Sequence, residues 1–229
     1  MSTIAILPVK SFSAAKQRLS PALGAGSRQA LAQAMFADVL RSLRRVHELD
    51  AVAVVTADRQ AEGAALGERV QVLRDSEQAG QSPAALIGIR HARSSGFERV
   101  LLVPGDTPLL DAAEVTALLR RGREERLAVV VVPDRHGEGT NALLLSPPDA
   151  IEPSFGPGSL ARHLAAARSA GVAHAVEKAP TLMLDVDTGE DLAELAAALG
   201  DRRGQAPSTS GALRQLDRSR ASRTLPVPA

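Results

Sequence analysis

Val103-Pro104-Gly105-Asp106-Thr107-Pro108-Leu109-Leu110 places a single aspartate directly behind an apolar strand. The apolar residues Val100 to Val103 form a strand, and Pro104-Gly105 ends it with a turn that a central ladder would not tolerate. Asp106 then stands exposed and backbone-anchored at the strand's C-terminal edge, where ligands bind in an open α/β sheet. Further along, Leu182-Met183-Leu184-Asp185-Val186-Asp187-Thr188 ends a second apolar stretch with two more carboxylates. Two acidic strand ends in one sheet make a candidate site for a hard divalent cation, which takes oxygen ligands and completes its shell with phosphates and water. The structural alternative is that Asp106 and Asp187 are turn formers or helix N-caps.

On either side of this stretch, short apolar runs alternate with helical patterns, the signature of a layered α/β sheet. Thr3 to Val9, Ala51 to Thr56, Val70 to Leu73, Val100 to Val103, Leu127 to Val132, Ala142 to Leu145, Ala173 to Val176 and Leu182 to Val186 read as strands. Ser27 reads as the N-cap of a helix in which Leu31, Met35, Phe36, Val39, Leu40, Leu43 and Val46 recur at helical spacing. Ala84 to Arg93, Ser159 to Ala170 and Thr188 to Leu199 read as further helices. The 229 residues, 45% of them hydrophobic, suffice for one α/β domain over residues 1–200. From Gly200 the composition turns to Arg, Ser, Pro and Gly, and a tail over 201–229 is expected to be disordered because it cannot offset its ordering entropy.

Only 2% of residues are aromatic, with no Trp or Tyr, so base-stacking surfaces are missing and a nucleic-acid partner is not expected. There is no cysteine, which rules out disulfides and thiolate metal sites. No charged-then-apolar leader or long apolar span stands in the sequence, so a cytoplasmic protein without a membrane partner is expected. No apolar stripe stands out from the core periodicity, and the oligomeric state is not readable.

Lys10, Lys16 and Arg18 fall within one loop after the first strand, in a chain with only three lysines. A triphosphate whose pyrophosphate leaves needs such charges, although isolated loop charges are usually only solvated. Gly24-Ala25-Gly26 follows no strand directly and lacks the third glycine of a dinucleotide fingerprint. In Asp134-Arg135-His136-Gly137-Glu138-Gly139-Thr140-Asn141, the glycines let backbone approach a ligand before Thr140 and Asn141 offer hydrogen bonds. Phe155-Gly156-Pro157-Gly158-Ser159-Leu160 opens a helix whose free N–H groups and Ser159 hydroxyl suit an anion, unless Ser159 is merely an N-cap. His136 and His163 are isolated and read as loop and helix-surface residues. Gly80-Gln81-Ser82 turns into a helix where a base could lie, with Ser82 equally suited to be its N-cap and Pro83 its first residue.

Together these motifs, in this order from about Thr3 to Gly200, resemble the guanylyltransferases of coenzyme F420 biosynthesis, which act on phosphoenolpyruvate or 2-phospho-L-lactate. The resemblance implies a Rossmann-like, GT-A-like nucleotidyltransferase fold, a three-layer sandwich around a mixed, mostly parallel sheet. It implies Mg²⁺ held by Asp106 and Asp187 with Asp185, and the phosphorylated acid held by Thr140, Gly156 and Ser159. Lys16 and Arg18 would act with Asp106 in catalysis. Lys10, Gly80, Gln81 and Ser82 would lie on the GTP side. The glycine-rich N-terminal signature of wider nucleotidyltransferases is absent, as in the F420 group, with Lys10, Lys16 and Arg18 in its place. Gln81-Ser82 stands where many members carry Asn, so GTP is implied by the family and not by a readable base pocket. A phosphate monoester, with a second pKa of about 6, can attack the α-phosphorus without a protein base. Alanine- and arginine-rich usage suggests a GC-rich bacterial genome, where the likeness favours phosphoenolpyruvate, giving enolpyruvoyl-2-diphospho-5'-guanosine and pyrophosphate. Other readings are 2-phospho-L-lactate or 3-phosphoglycerate as acceptor, a sugar or molybdopterin nucleotidyltransferase, a GT-A glycosyltransferase, or a nucleotide-binding module without chemistry.

Overall fold

The computed structural model describes residues 1–201 and 204–224. The strands are β1 (Thr3–Val9), β2 (Ala51–Thr56), β3 (Gln71–Arg74), β4 (Arg99–Leu102), β5 (Val129–Pro133), β6 (Thr140–Leu145) and β7 (His174–Val176). The helices are α1 (Ala25–Leu43), α2 (Arg59–Gly67), α3 (Gln81–Ser94), α4 (Ala112–Glu124), α5 (Ser159–Ser169), α6 (Gly189–Asp201) and α7 (Pro207–Thr224). One sheet runs in the order β3-β2-β1-β4-β6-β5-β7, and β6 opposes the direction of its neighbours. The sheet is therefore mixed and mostly parallel.

Alternation along the strands builds two apolar layers. Ala5, Leu7, Val54, Leu101 and Val130 face α1, α2 and α4, where Phe36, Val39, Ala61 and Leu118 close the core. Ile4, Ile6, Val55, Val100 and Val131 face α3 and α5 on the other side. The α3 helix sits so close to β1 that a Cβ on Gly88 would lie 2.4 Å from Ile6 Cγ2. A third apolar group joins Leu19, Leu23, Leu31, Met35, Leu109, Leu184, Val186 and Leu195, with Leu213 and Leu216 packed against it.

Several expectations need correction. Helix α1 starts at Ala25 after Gly24, not behind a Ser27 cap. Helices α2 and α4 lie outside the sequence reading; Asp58 and Asp111 cap them, accepting backbone N–H bonds in their first turns. Leu182 to Val186 is not a strand. Its backbone reaches the neighbouring loop through one bond, Val186 N–H to Asp106 O at 3.2 Å, and its alternating apolar residues serve two separate core groups.

The tail expectation also changes. Residues 207–224 form α7, whose first turn is tied to α1: Asp38, 3% exposed, accepts from Ser208 N (3.2 Å), Thr209 N (2.7 Å) and Thr209 Oγ1 (2.8 Å). A buried carboxylate and an apolar seat supply the ordering that composition alone lacks. Residues 202, 203 and 225–229 of that expected tail lie outside the described residues. No helix among the described residues is long and apolar enough to cross a membrane.

Candidate active site

The register of the sheet brings the motifs together. Strands β1, β3 and β4 end at one edge, leading into Lys10, Asp75 and the Pro104-Gly105-Asp106 turn. Because β6 runs backwards and pairs Leu143 with Leu102, its beginning, Thr140 and Asn141, falls at this same edge beside Asp106. A cleft of about 950 Å³ opens there, within the size class of cofactor sites. Lys10, Lys16 and Arg18 line it, as do Gly80 and Gln81, the three aspartates 106, 185 and 187, and Thr140, Gly156 and Ser159. Ser82 does not. Its hydroxyl instead accepts from Phe155 N–H at 2.8 Å, and Gly80, with φ of 129°, takes the cap position before α3.

The acidic group centres on Lys16, a non-glycine residue in the left-handed region at φ 58°. Its ammonium donates to Asp106 Oδ2 and, at 2.9 Å, to Asp187 Oδ1, and its side chain is only 6% exposed. Burial pulls the Lys16 pKa down, but Asp106 and then Asp187 more than reverse this, and the net is a raised pKa. Asp185 behaves oppositely: burial first, then the charges of Asp106 and Asp187, push it up to about 6 against the lowering bond from Asn141 Nδ2 at 3.1 Å. Asp187 is fixed through its backbone, since Asp191 Oδ2 accepts from Asp187 N (3.0 Å) and Thr188 N (2.7 Å). Arg135 holds Asp191 at 2.8 Å, tying the 134–139 loop to this corner.

The described residues contain no group of three His, Asp or Glu side chains arranged around a metal position. Two observations nevertheless suit a cation. Among the described residues, Asp106 Oδ1 is buried without a hydrogen-bond partner, and a positive group, the Lys16 ammonium, lies between Asp106 and Asp187. A divalent ion on two carboxylates with phosphate and water completing its shell would need no third protein ligand.

Across the cleft, Gly156 (φ 107°) and Gly158 (φ 70°) take conformations that side-chain-bearing residues avoid, and they turn the chain into α5. Gly158 is the N-cap; Ser159 is the first helical residue, fully buried, and its Oγ has no partner among the described residues. Arg162 braces the turn, donating to Ser154 O at 2.9 Å, Phe155 O at 3.3 Å and Pro157 O. His163 corrects its expected surface role. It is 0% exposed, lies on the buried stripe Ser159-His163-Ala167, accepts from Ser154 N–H at Nε2 (2.8 Å), and has Nδ1 3.0 Å from Thr140 Oγ1. His136 stays at the cleft's loop.

Burial, helped by the Arg162 charge, pulls the His163 imidazole from 6.5 down to about 4. Between those values an unfolded chain takes up a proton that the folded imidazole refuses, so stability falls as pH drops from 6.5 toward 4. Urea unfolding of wild type against His163→Asn should show the wild type losing up to roughly 3 kcal/mol of its advantage across that window. A pH-independent difference would refute the neutral buried imidazole.

The sequence reading passed over Asp75 and placed His163 on a helix surface. Asp75, 7% exposed, lines the cleft near Gly80, with one oxygen accepting from Gln78 N–H at 3.0 Å. For His163, its position on the apolar stripe of α5 was the available signal of burial.

A mixed, mostly parallel sheet with a carboxylate turn at one edge and a glycine-capped helix start across the cleft is an architecture of α/β nucleotidyltransferases. Solved structures agree on the fold: a nucleotide-diphospho-sugar transferase from Desulfovibrio desulfuricans superposes with TM-score 0.75 at 20% identity, covering 95% of this chain and 96% of that one. A 4-diphosphocytidyl-2C-methyl-D-erythritol synthase superposes at 0.60 with 15% identity, covering 86% and 99%. Residues 3–210 match the family described as guanylyl transferase CofC like, and the chain belongs to that family. It is 52% identical over 96% of its length, and 98% of the relative's, to a phosphoenolpyruvate guanylyltransferase of Conexibacter woesei. It is 36% identical, over 85% and 84%, to a 2-phospho-L-lactate guanylyltransferase of Methanothermobacter thermautotrophicus.

Proposed function

We propose that this protein condenses GTP with phosphoenolpyruvate, giving enolpyruvoyl-2-diphospho-5'-guanosine and pyrophosphate, in the cytoplasm. The carrying observation is the pairing, across one cleft, of the Asp106–Asp187 carboxylates with the Thr140 and unpartnered Ser159 hydroxyls. A hydroxyl acceptor such as a sugar would not call for that second, anion-seeking end. The similarity to relatives named for phosphoenolpyruvate, at 52% and 39% identity, favours this acid over 2-phospho-L-lactate.

Chemically, an oxygen of the acceptor phosphate forms a bond to the α-phosphorus of GTP as the bond to the β-phosphate oxygen breaks and pyrophosphate leaves. The acceptor phosphate is already largely ionised near neutral pH, so no side chain has to remove a proton. Two anions must instead be brought together. Thr140, Ser159 and the N–H groups at the start of α5 seat the acceptor, with Gly156 leaving room for it. Lys10 and Arg18, exposed in the first loop, meet the triphosphate, and Gly80 and Gln81 lie at its base end. Lys16 offers its positive charge between the acids and the phosphates. Mg²⁺, held by Asp106 and Asp187 with Asp185 behind them, would supply charge neutralisation at the phosphates. Its presence would also relieve the repulsion from Asp106 and Asp187 that, after burial, raises the Asp185 pKa.

Pyrophosphate release with GTP, Mg²⁺ and a panel of phosphoenolpyruvate, 2-phospho-L-lactate and 3-phosphoglycerate tests the reading. Turnover should be fastest with phosphoenolpyruvate. Preference for another acid would reassign the acceptor, and no release with any would remove the activity. Ser159→Ala should raise the KM for the acid about tenfold, more than that for GTP, because a charge-assisted bond is lost at one end only. The reverse pattern would move Ser159 to the nucleotide side.

A further inference from the structure

We infer that His163 is a positioning residue that turns the Thr140 hydroxyl into an obligate hydrogen-bond donor toward the acceptor anion. A backbone N–H can only donate, so the bond from Ser154 N to His163 Nε2 at 2.8 Å requires a lone pair on Nε2. The proton of the neutral ring then resides on Nδ1, and Nδ1–H donates to Thr140 Oγ1, 3.0 Å away. With the ring donating, the Thr140 hydrogen cannot point back at it. Among the described residues no other acceptor pairs with that hydroxyl, and Thr140 lines the cleft. The hydrogen is left for a ligand oxygen carrying negative charge.

The ring is held for this task from several sides. It is fully buried on α5, stacks edge-on against Phe155 at 5.3 Å between centroids, and follows Arg162, whose guanidinium secures the backbone oxygens of the same turn. Phe155 N–H in turn rests on Ser82 Oγ at the start of α3. One imidazole thus fixes both the hydroxyl and the turn that carries Gly156 and Ser159. A hydroxyl free to rotate would have to be oriented at each binding event; one already committed as a donor favours anions over ligands that themselves donate.

The inference rests on the reading of Thr140 as part of the acceptor seat, and the experiment separates the two. In the full-length protein, steady-state KM values for phosphoenolpyruvate and GTP are measured for T140V, H163Q, H163N and T140V/H163Q. Gln at 163 can accept from Ser154 but cannot place its donor on Thr140, whereas Asn places an amide donor near Thr140 and gives up Ser154. T140V and H163Q should each raise the acceptor KM about tenfold, with the GTP value moving by less than about twofold. H163N should lose less, and the double variant should be no worse than T140V, the non-additivity expected of one shared interaction. If T140V leaves the acceptor KM unchanged, the seat itself is misassigned and the inference falls with it. If T140V acts while H163Q does not, or if their effects multiply, the inference alone is overturned. Should H163Q not fold, ¹⁵N spectra of histidine-labelled wild type still decide, with the His163 signals taken as those lost in H163N. A protonated Nδ1 and bare Nε2 are expected, and the opposite tautomer overturns the inference.

Discussion

Asp106→Asn is expected to lower kcat for pyrophosphate release by about a thousandfold or more, while thermal unfolding moves by no more than about 3 °C. The side chain keeps its shape and can still accept from Lys16; the buried ammonium loses its leading compensating charge, but the repulsion between Asp106 and Asp185 goes with it, so the two effects offset. What disappears is a negative charge at the point where the sheet edge meets the phosphates. Its buried Oδ1, which no group among the described residues satisfies, would become part of an amide that cannot hold a hard cation. Removal of that charge also takes away the leading electrostatic push on Asp185, whose carboxyl should move back down from about 6. Activity measured against Mg²⁺ concentration completes the test. Near-normal turnover at ordinary Mg²⁺ would remove Asp106 from the reaction, and high Mg²⁺ restoring part of the rate would keep it as a ligand.

That prediction was accessible from the sequence because Pro104-Gly105 marks the strand end unambiguously and Asp106 follows directly. Lys16 was accessible through its rarity, but not its partners. The sequence reading gives Lys16 to the pyrophosphate and the acids to the metal, whereas in the fold the ammonium lies between Asp106 and Asp187. Separations of 90 and 171 residues are invisible to local pattern. Leu182 to Val186 misled for a related reason: alternation of apolar residues also describes an extended loop that feeds two cores, and only hydrogen bonding tells a loop from a strand. Ser82 and Ser159 each looked like an N-cap, yet glycines with positive φ occupy both cap positions. This frees one serine to brace Phe155 and leaves the other's hydroxyl unpartnered in the cleft wall.

Ending the chain after Gln205, which deletes α7, is expected to destabilise the protein by several kcal/mol and to cost activity as well. A disordered tail would predict no change. Leu213 and Leu216 pack on the apolar group formed by Leu19, Leu23, Leu31, Met35 and Leu195, and exposing such side chains costs roughly 1.5–3 kcal/mol for each fully buried one. The same group holds Leu109, Leu184 and Val186, which flank the Asp106 turn and the Asp185–Asp187 loop, and Leu19 immediately follows the loop of Lys16 and Arg18. Loosening it therefore displaces three segments of the site at once, so kcat should fall even at temperatures where the truncated protein remains folded. Truncation opens Asp38 to water, so its charge carries no burial penalty there and the loss is mainly apolar. Asp38→Ala in the full chain probes the polar tie: the N–H groups of Ser208 and Thr209 and the Thr209 hydroxyl lose their acceptor and Arg41 loses a partner, at a cost of about 1–2 kcal/mol. Urea unfolding of both variants beside the wild type checks the ordering. If the truncated chain unfolds with the wild-type midpoint and turns over normally, α7 contributes nothing to the positioning of the cleft.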